Sequence, residues 1–265
     1  MKRVMLRLVL AGFVFLVGSS LWAQQDTVYF LEPGKKKEEQ LLKGRIEQES
    51  PTGLQLKTGS NVRDIPAAQI TQITYHCKVP ALDFRKPDGQ LTNALKAEGN
   101  ERAKLLSAAL AGFKALDAQL SGEAKIHRYL QYRIALTLAA RAKDDPASRD
   151  SAIAVLKDNK TAFTKGWEAV PALQLLARLQ EEKNDTEGAS QTYAELADVP
   201  GLDAAMKLDS QLRGARLLLS ARKFTEAESK LKTLTAALPA DDPQRTYVAV
   251  YLAQSRIAQN NLDGV

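Results

Sequence analysis

The sequence predicts a mainly α-helical fold, an α-solenoid of antiparallel helical hairpins preceded by a small all-β module. Two observations support this fold class. Ala and Leu abound, whereas aromatic residues make up only 6% of the 265 residues, which favours helices packed through small and mid-sized side chains. Short apolar alternations typical of strands lie before residue 80, and helical periodicity replaces them from about residue 91.

Residues 1–23 have the pattern of an export signal. An apolar run at 8–17 leads to a plausible cleavage after Ala23, and the basic residues before it are Lys2, Arg3 and Arg7. The run is about half the roughly 20 residues that a membrane-spanning helix needs, so we expect cleavage and no membrane span afterwards. An uncleaved anchor is the alternative, because Leu21 stands where a small residue is preferred. The predicted location is secreted or periplasmic, in the cell envelope.

The net charge of +6 does not indicate a nucleic-acid partner. Three of the 37 basic residues lie in the first 23 residues, which contain no acid, and the rest of the chain has 34 bases against 31 acids. The remaining charges alternate in sign along the predicted helices, as on solvated helix faces. We therefore expect no nucleic acid among the partners.

Residues 24–79 are predicted to form a small antiparallel β module of four or five strands. Turn residues at 33–34, 50–53 and 59–61 separate short apolar alternations. The apolar residues of these alternations are Val28, Phe30, Leu42, Ile46, Leu54, Leu56, Val62, Ile65, Ile70, Ile73 and Tyr75.

The order of these segments resembles the SH3-like and Sm-like small barrels. The resemblance is carried by a Gly-containing loop after the first strand, by residues 44–46 and 53–56 on the next two, and by Ile70 and Ile73 on the last. It implies a closed small barrel. A β-sandwich fragment is the alternative, because it would alternate in the same way.

Residues 80–90 have the composition of a linker, and helical repeats are expected to occupy 91–265. The turn-forming residues of the linker are Pro80, Pro87, Asp88 and Gly89. The β module and the helical region are therefore predicted to be separate units.

The helical region carries an internal repeat with a period of 38 residues. Ala177, Ala215 and Ala253 recur at this spacing. A second small residue, Ala189 or Ala227, follows twelve positions after each of the first two. Small side chains at these positions let paired helices approach closely, so each unit is expected to be one helical hairpin.

Each unit also has bulky residues four and seven positions after the second alanine, and a proline that ends it. These residues are Tyr193, Leu196 and Pro200 in one unit and Leu231, Leu234 and Pro239 in the next. The pattern resembles the tetratricopeptide repeat, which has small residues at its eighth and twentieth positions, a bulky one at the twenty-fourth and a proline near the thirty-second. The family unit has about 34 residues, so these units carry about four more. They also lack the family's early Trp and its usual Gly.

Upstream of these units, a degenerate hairpin is predicted from Ile134, Leu138 and Ala139 followed by Ala152, Ile153 and Leu156. Residues 91–120 have the pattern of one more helical pair or one long helix. In total we expect three full hairpins and one incomplete hairpin.

The last unit is expected to be incomplete, because Val265 stands where its second helix would begin. Such arrays need a polar element at their end. Tyr247, Val250, Tyr251 and Leu252 would otherwise leave apolar surface exposed. We therefore expect this sequence to be a piece of a longer array, with a short natural terminus as the alternative.

The sequence offers few groups for catalysis. His76 and Cys77 are adjacent on a predicted strand, so their side chains point to opposite faces, and His127 has no His or Glu one helical turn away. Nucleophile elbows, phosphate-binding loops and dinucleotide fingerprints are absent. We therefore expect no enzymatic activity, no cofactor and no metal.

The resemblance to tetratricopeptide repeats implies a concave groove lined by the first helix of each hairpin. Its fifth and ninth repeat positions correspond here to Gln174, Arg178, Leu212, Arg216, Val250 and Gln254. Two arginines on one face could hold the carboxylates of an acidic peptide. The alternative is that both arginines pair with neighbouring acidic residues.

These patterns favour an exported scaffold or adaptor that binds peptides or proteins through the groove, with the β module docking elsewhere. A regulatory or targeting region of a longer enzyme is the alternative. A carbohydrate- or lipid-binding envelope protein has less support, because no aromatic platform is visible in the sequence.

Overall fold

The computed structural model describes residues 25–32 and 39–260. The predicted export signal and the expected second helix of the last unit both lie outside these residues.

The β module is one five-stranded antiparallel sheet with the strand order β4-β3-β2-β1-β5. The strands are β1 (Asp26–Leu31), β2 (Glu39–Ser50), β3 (Gly53–Thr58), β4 (Asn61–Pro66) and β5 (Ile70–Thr74). A single 3-10 turn, Ala67–Gln69, joins β4 to β5. The predicted alternation is confirmed for most positions, since residues such as Val28, Leu56 and Ile73 are fully buried.

Ten helices follow in the described part of the chain. They are α1 (Ala81–Ala94), α2 (Gly99–Leu120), α3 (Ala124–Arg141), α4 (Ala147–Asp158), α5 (Lys160–Phe163), α6 (Ala169–Glu182), α7 (Thr186–Ala197), α8 (Ala204–Ser220), α9 (Phe224–Ala237) and α10 (Gln244–Ala258). Short connections pair α1 with α2, α3 with α4, α6 with α7, and α8 with α9, and α10 packs on α9. The described residues thus form four helical hairpins and two further helices, the four-residue α5 and the terminal α10, which is one hairpin more than expected.

The sheet is not closed into a barrel, so the prediction of a closed barrel is wrong. Among the described strands, β4 and β5 are the two edges and do not pair with each other. Helix α3 covers the β5 edge instead. The Ile73 N–H donates to the Tyr129 hydroxyl at 3.5 Å, and Arg133 Nη1 donates to the Thr71 carbonyl at 3.4 Å. These side chains satisfy edge groups that a barrel would satisfy by strand pairing.

The predicted linker at 80–90 is also wrong, because most of it belongs to α1. Pro87 lies inside this helix and Asp88 is fully buried. The Pro87 ring packs on α2, where a Cβ at Gly112 would lie only 2.6 Å from Pro87 Cγ. Tertiary packing therefore stabilises a helix whose local composition favours a turn.

The 38-residue period is confirmed in the backbone. Asn184, Arg222 and Asn260 follow the ends of α6, α8 and α10 with left-handed φ angles of 60°, 60° and 56°. The N–H of Asp185 donates to the Gln180 carbonyl at 2.8 Å, and the N–H of Lys223 donates to the Leu218 carbonyl at 2.8 Å. The same C-terminal capping motif thus recurs one period later.

Four of the repeated alanines are buried, as the interpretation of the repeat as closely packed hairpins requires. Ala177, Ala189, Ala215 and Ala227 are fully buried. Ala253 is half-buried on α10, the last described helix. The hairpins therefore pack closely through side chains that are only a methyl group in size.

The β module shares its hydrophobic core with the first helices. One cluster joins Val28 and Ile73 of the sheet to Phe84, Tyr129 and residues of helices up to α6, and two smaller clusters hold the later hairpins together. The sheet and the first hairpins are therefore one packed body, and not units joined by a free linker.

Candidate functional site

A cleft of about 500 Å³ opens between the first helices of successive hairpins. Helices α3, α6, α7 and α8 line it with Tyr132, Leu136, Pro171, Gln174, Leu175, Arg178, Glu181, Tyr193, Leu196, Asp209, Ser210 and Arg213. We call it the repeat cleft. Its size falls within the range of about 300–1,000 Å³ that is typical of ligand sites.

A second cleft, of about 280 Å³, lies at the seam between the β module and the helices. We call it the seam cleft. Ala67, Ala68, Ile70 and Thr71 of the module form one wall, and Tyr132, Arg133, Leu136, Trp167, Val170, Pro171, Gln174 and Met206 complete it.

The two clefts are parts of one groove. Both are lined by Tyr132, Leu136, Pro171 and Gln174, which lie on α3 and α6. The groove therefore runs from the β module along α6 to α8.

Two of the six residues predicted to line a groove lie in the repeat cleft. Gln174 is exposed there, with its Nε2 3.6 Å from the Met206 sulfur. The Arg178 side chain is 62% exposed, and its Nε is 3.7 Å from Glu182 Oε1. The ion pair between Arg178 and Glu182 is thus long, exposed to solvent and confined to one helix, so it contributes little to stability.

The other four predicted residues lie further along the array. Leu212 is half-buried in the cluster between α8 and α10. Arg216 lies with its guanidinium 5.5 Å from the centre of the Tyr251 ring. Val250 and Gln254 are exposed on α10. The structure therefore does not bring all six residues together in one cleft.

The far end of the repeat cleft holds charges that are already paired. Arg213 Nε donates to Asp209 Oδ2 at 2.8 Å, and the Tyr193 hydroxyl donates to Glu181 Oε1 at 2.5 Å. Burial and the Glu181 carboxylate raise the pKa of Tyr193 to about 12. This phenol therefore stays protonated at neutral pH and holds Glu181 in place.

The sequence did not single out Arg213, Tyr132 or the wall from the β module as groove residues. Tyr132 and Leu136 are one turn apart on α3. This spacing predicts that they share one face of the helix, but it does not predict which element packs against that face. The contact of the 3-10 turn with α6 joins segments about 100 residues apart in the chain, and local patterns carry no signal for it.

A buried ion-pair network fixes the base of the seam. Arg128 on α3 donates from Nε to Glu168 Oε2 at 2.7 Å and also pairs with Glu49 of β2. Burial raises the pKa of Glu168 to about 7, although Arg128 lowers it. Burial likewise raises the pKa of Glu49. Two carboxylates thus share one guanidinium, so that keeping both ionised is unfavourable.

A second buried pair lies beside the first. Arg133 pairs with Asp88 of α1, and the Tyr129 hydroxyl donates to Asp88 Oδ2 at 3.0 Å. Burial raises the pKa of Asp88 while Arg133 lowers it. Because the Arg133 charge faces Asp88, the seam cleft is close to neutral on this side.

The side chains considered for catalysis are not combined into a reactive centre. His127 Nδ1 lies 2.6 Å from Asp117 Oδ1 on the neighbouring helix. Cys77 is half-buried, and burial raises the pKa of its thiol. Within residues 25–32 and 39–260, no group of three or more His, Cys, Asp or Glu side chains is placed to hold a metal ion.

The same residues include no helix that is both long enough and apolar enough to cross a membrane.

Comparison with known proteins gives distant structural likenesses only. The chain matches no protein-family model and no curated protein. One similar solved structure contains the nearly identical TPR-like repeats of a protein described as a Podosopora anserina kinesin light chain; it has 16% identity and a TM-score of 0.45, and covers 66% of this chain and 88% of that one. A point variant of the same protein has 15% identity and a TM-score of 0.46, with 70% and 91% covered.

Proposed function

We propose that this protein is an exported, non-catalytic scaffold that binds a peptide segment of a partner protein along the groove. The observation that carries the proposal is the repeat cleft, an open concavity of about 500 Å³ built from the first helices of successive hairpins. Its lining combines the apolar side chains of Leu136, Pro171 and Leu175 with several polar and charged ones. Concave sites that combine apolar side chains with placed polar groups are typical of binding sites.

The charges of the groove favour a partner segment with a carboxylate. Arg213 is held by Asp209, and Glu181 accepts a hydrogen bond from Tyr193. Arg178 is more available, because the Glu182 carboxylate is 3.7 Å away and the arginine side chain is mostly exposed. An acidic side chain that displaces this weak contact would gain a charge-assisted hydrogen bond.

Selection from a library of random dodecapeptides on the full chain tests the proposal. We expect enriched peptides to contain acidic residues and to lose at least about tenfold in affinity, or about 1.4 kcal/mol, for the Arg178→Glu variant. Lys104→Glu is the matched control, because Lys104 is an exposed cation on α2 outside the groove. Absence of enrichment, or equal losses for both variants, would contradict the proposal.

Export is part of the proposal and is tested separately. It is supported by the basic and apolar pattern of residues 1–23. Expression of the full chain in a bacterium, followed by fractionation and N-terminal sequencing, should give a periplasmic product that begins after Ala23. A cytoplasmic product with an intact N-terminus would contradict export.

A further inference from the structure

We infer that the β module is part of the binding site, and that its seam cleft anchors a large apolar side chain of the bound segment. This inference rests on the proposed function and adds the role of the module and the chemistry of the partner. It replaces the expectation that the module docks elsewhere.

The walls of the seam cleft are suited to an apolar group. The module contributes Ala67, Ala68 and Ile70, and the helices contribute Leu136, Val170 and Pro171. Among the described lining residues Arg133 is the only charged one, and Asp88 neutralises it. A charged side chain placed here would lose hydration without gaining an unpaired opposite charge, whereas an apolar one would be buried favourably against the apolar residues of the lining.

The wall formed by the module is held rigidly against the helices. Arg128 bridges Glu49 of the sheet and Glu168 before α6, and the β5 edge is bonded to Tyr129 and Arg133 of α3. Next to this wall, the Ala67 N–H donates to the Thr52 carbonyl at 2.8 Å, and a Cβ at Gly201 would lie 2.8 Å from Thr52 Cγ2. The cleft is therefore formed before a partner arrives, which reduces the entropy lost on binding.

The continuity of the groove defines the partner further. A segment that fills the seam cleft continues past Gln174 to Arg178, because Gln174 lines both clefts and the two residues are one helical turn apart on α6. The structure thus fits a peptide that combines a large apolar residue with an acidic residue a few positions away. Charge complementarity at Arg178 favours such a segment over a neutral one.

The test uses a peptide selected as above, free of Trp and labelled with fluorescein, and the full chain. Ala68 is exposed on the 3-10 turn, so Ala68→Trp fills the seam cleft without changing the core. We expect the affinity, measured by fluorescence anisotropy, to fall at least about tenfold for Ala68→Trp. It should stay within about twofold for Ala68→Ser and for Ala154→Trp, which adds the same side chain on the exposed face of α4.

Trp167 gives a second, direct readout. It lines the seam cleft, and Trp22→Phe leaves it as the only Trp of the chain. We expect the Trp167 emission to change on peptide binding with the same midpoint as the anisotropy. If Arg178→Glu weakens binding but Ala68→Trp and the emission show no effect, the role of the module is wrong and the proposed function stands. If no peptide is selected, or no groove variant weakens binding, the proposed function and the role of the module are both wrong.

Discussion

Asn184 and Arg222 adopt the same left-handed backbone conformation, with φ of 60°, one 38-residue repeat apart. Asn184 follows α6 and Arg222 follows α8, the first helices of their hairpins. The N–H of the next residue, Asp185 or Lys223, donates the hydrogen bond that caps the helix. Asn tolerates this conformation because its short side chain bonds locally, whereas Arg has no such compensation. The repeat therefore imposes a backbone geometry for which Arg222 is poorly suited.

Replacing Arg222 by Gly should stabilise the protein. Gly adopts positive φ without steric cost, so we expect the free energy of unfolding in urea to rise by about 1 kcal/mol. Lys230→Gly is the matched control, because Lys230 is an exposed long cation within α9. That change should destabilise by about 1 kcal/mol. Destabilisation by Arg222→Gly would contradict the strain at this position.

Enlarging the repeated alanines tests the packing of the hairpins. Ala177 and Ala215 are fully buried between helices, so Ala→Leu at either should cost about 1–3 kcal/mol through overpacking. Ala253 is half-buried, and the same change there should cost less than about 1 kcal/mol. Urea unfolding of the three variants measures the difference. Equal losses of unfolding free energy at all three positions would contradict close packing at Ala177 and Ala215.

Stability should fall as the pH rises from about 4.5 to about 7. The pKa of Glu168 is raised to about 7 from an ordinary value of 4.5, so the folded protein binds more protons than the unfolded chain within this window. The stabilisation is complete below about pH 4.5 and is lost above about pH 7, a change of about 3 kcal/mol. Urea unfolding at a series of pH values measures the slope.

Glu168→Gln should flatten this pH dependence, because a neutral amide takes the place of the titrating carboxyl. Glu101→Gln is the control, since Glu101 is exposed on α2, and it should leave the slope unchanged. An unchanged slope in Glu168→Gln would show that another group carries the pH dependence.

Local patterns predicted the parts of the fold that depend on local chemistry. The spacing of Ala177 and Ala215 gave the hairpin period, and the alternation in Val28 and Phe30 gave a buried strand face. The strand face depends on neighbours within one strand, where alternation and burial are directly linked, and the hairpin period is a recurrence along the chain that can be read without knowing any tertiary contact.

The features that the sequence did not predict depend on distant contacts. Composition at Pro87 and Asp88 indicates a turn, yet burial against α2 and Arg133 makes this segment a helix. The sequence also did not predict an open sheet. The sheet can stay open because Tyr129 and Arg133 of α3 cover the β5 edge, and this contact joins segments that are far apart in the chain. The groove itself combines the 3-10 turn with α6, and no short pattern specifies that pairing.

Breaking the buried pair between Asp88 and Arg133 should be strongly destabilising. Asp88→Ala leaves the Arg133 charge buried without its partner, and we expect a loss of about 3–5 kcal/mol. The double variant Asp88→Leu with Arg133→Met removes both charges and should recover most of that loss. Thermal and urea unfolding of the single and double variants measure it. A double variant as unstable as Asp88→Ala would mean that packing, and not the charge, sets the cost.

Arg216 should contribute to stability and not to peptide binding, although it occupies the same repeat position as Arg178. Its guanidinium lies against the Tyr251 ring at 5.5 Å, and it is not among the residues that line either cleft. Arg216→Ala should therefore cost about 0.5–1 kcal/mol of unfolding free energy. The affinity for a peptide selected on the groove should stay within about twofold, as measured by anisotropy, while Arg178→Ala weakens it. Equal losses of affinity for the two variants would show that the bound segment extends past α6 to both arginines.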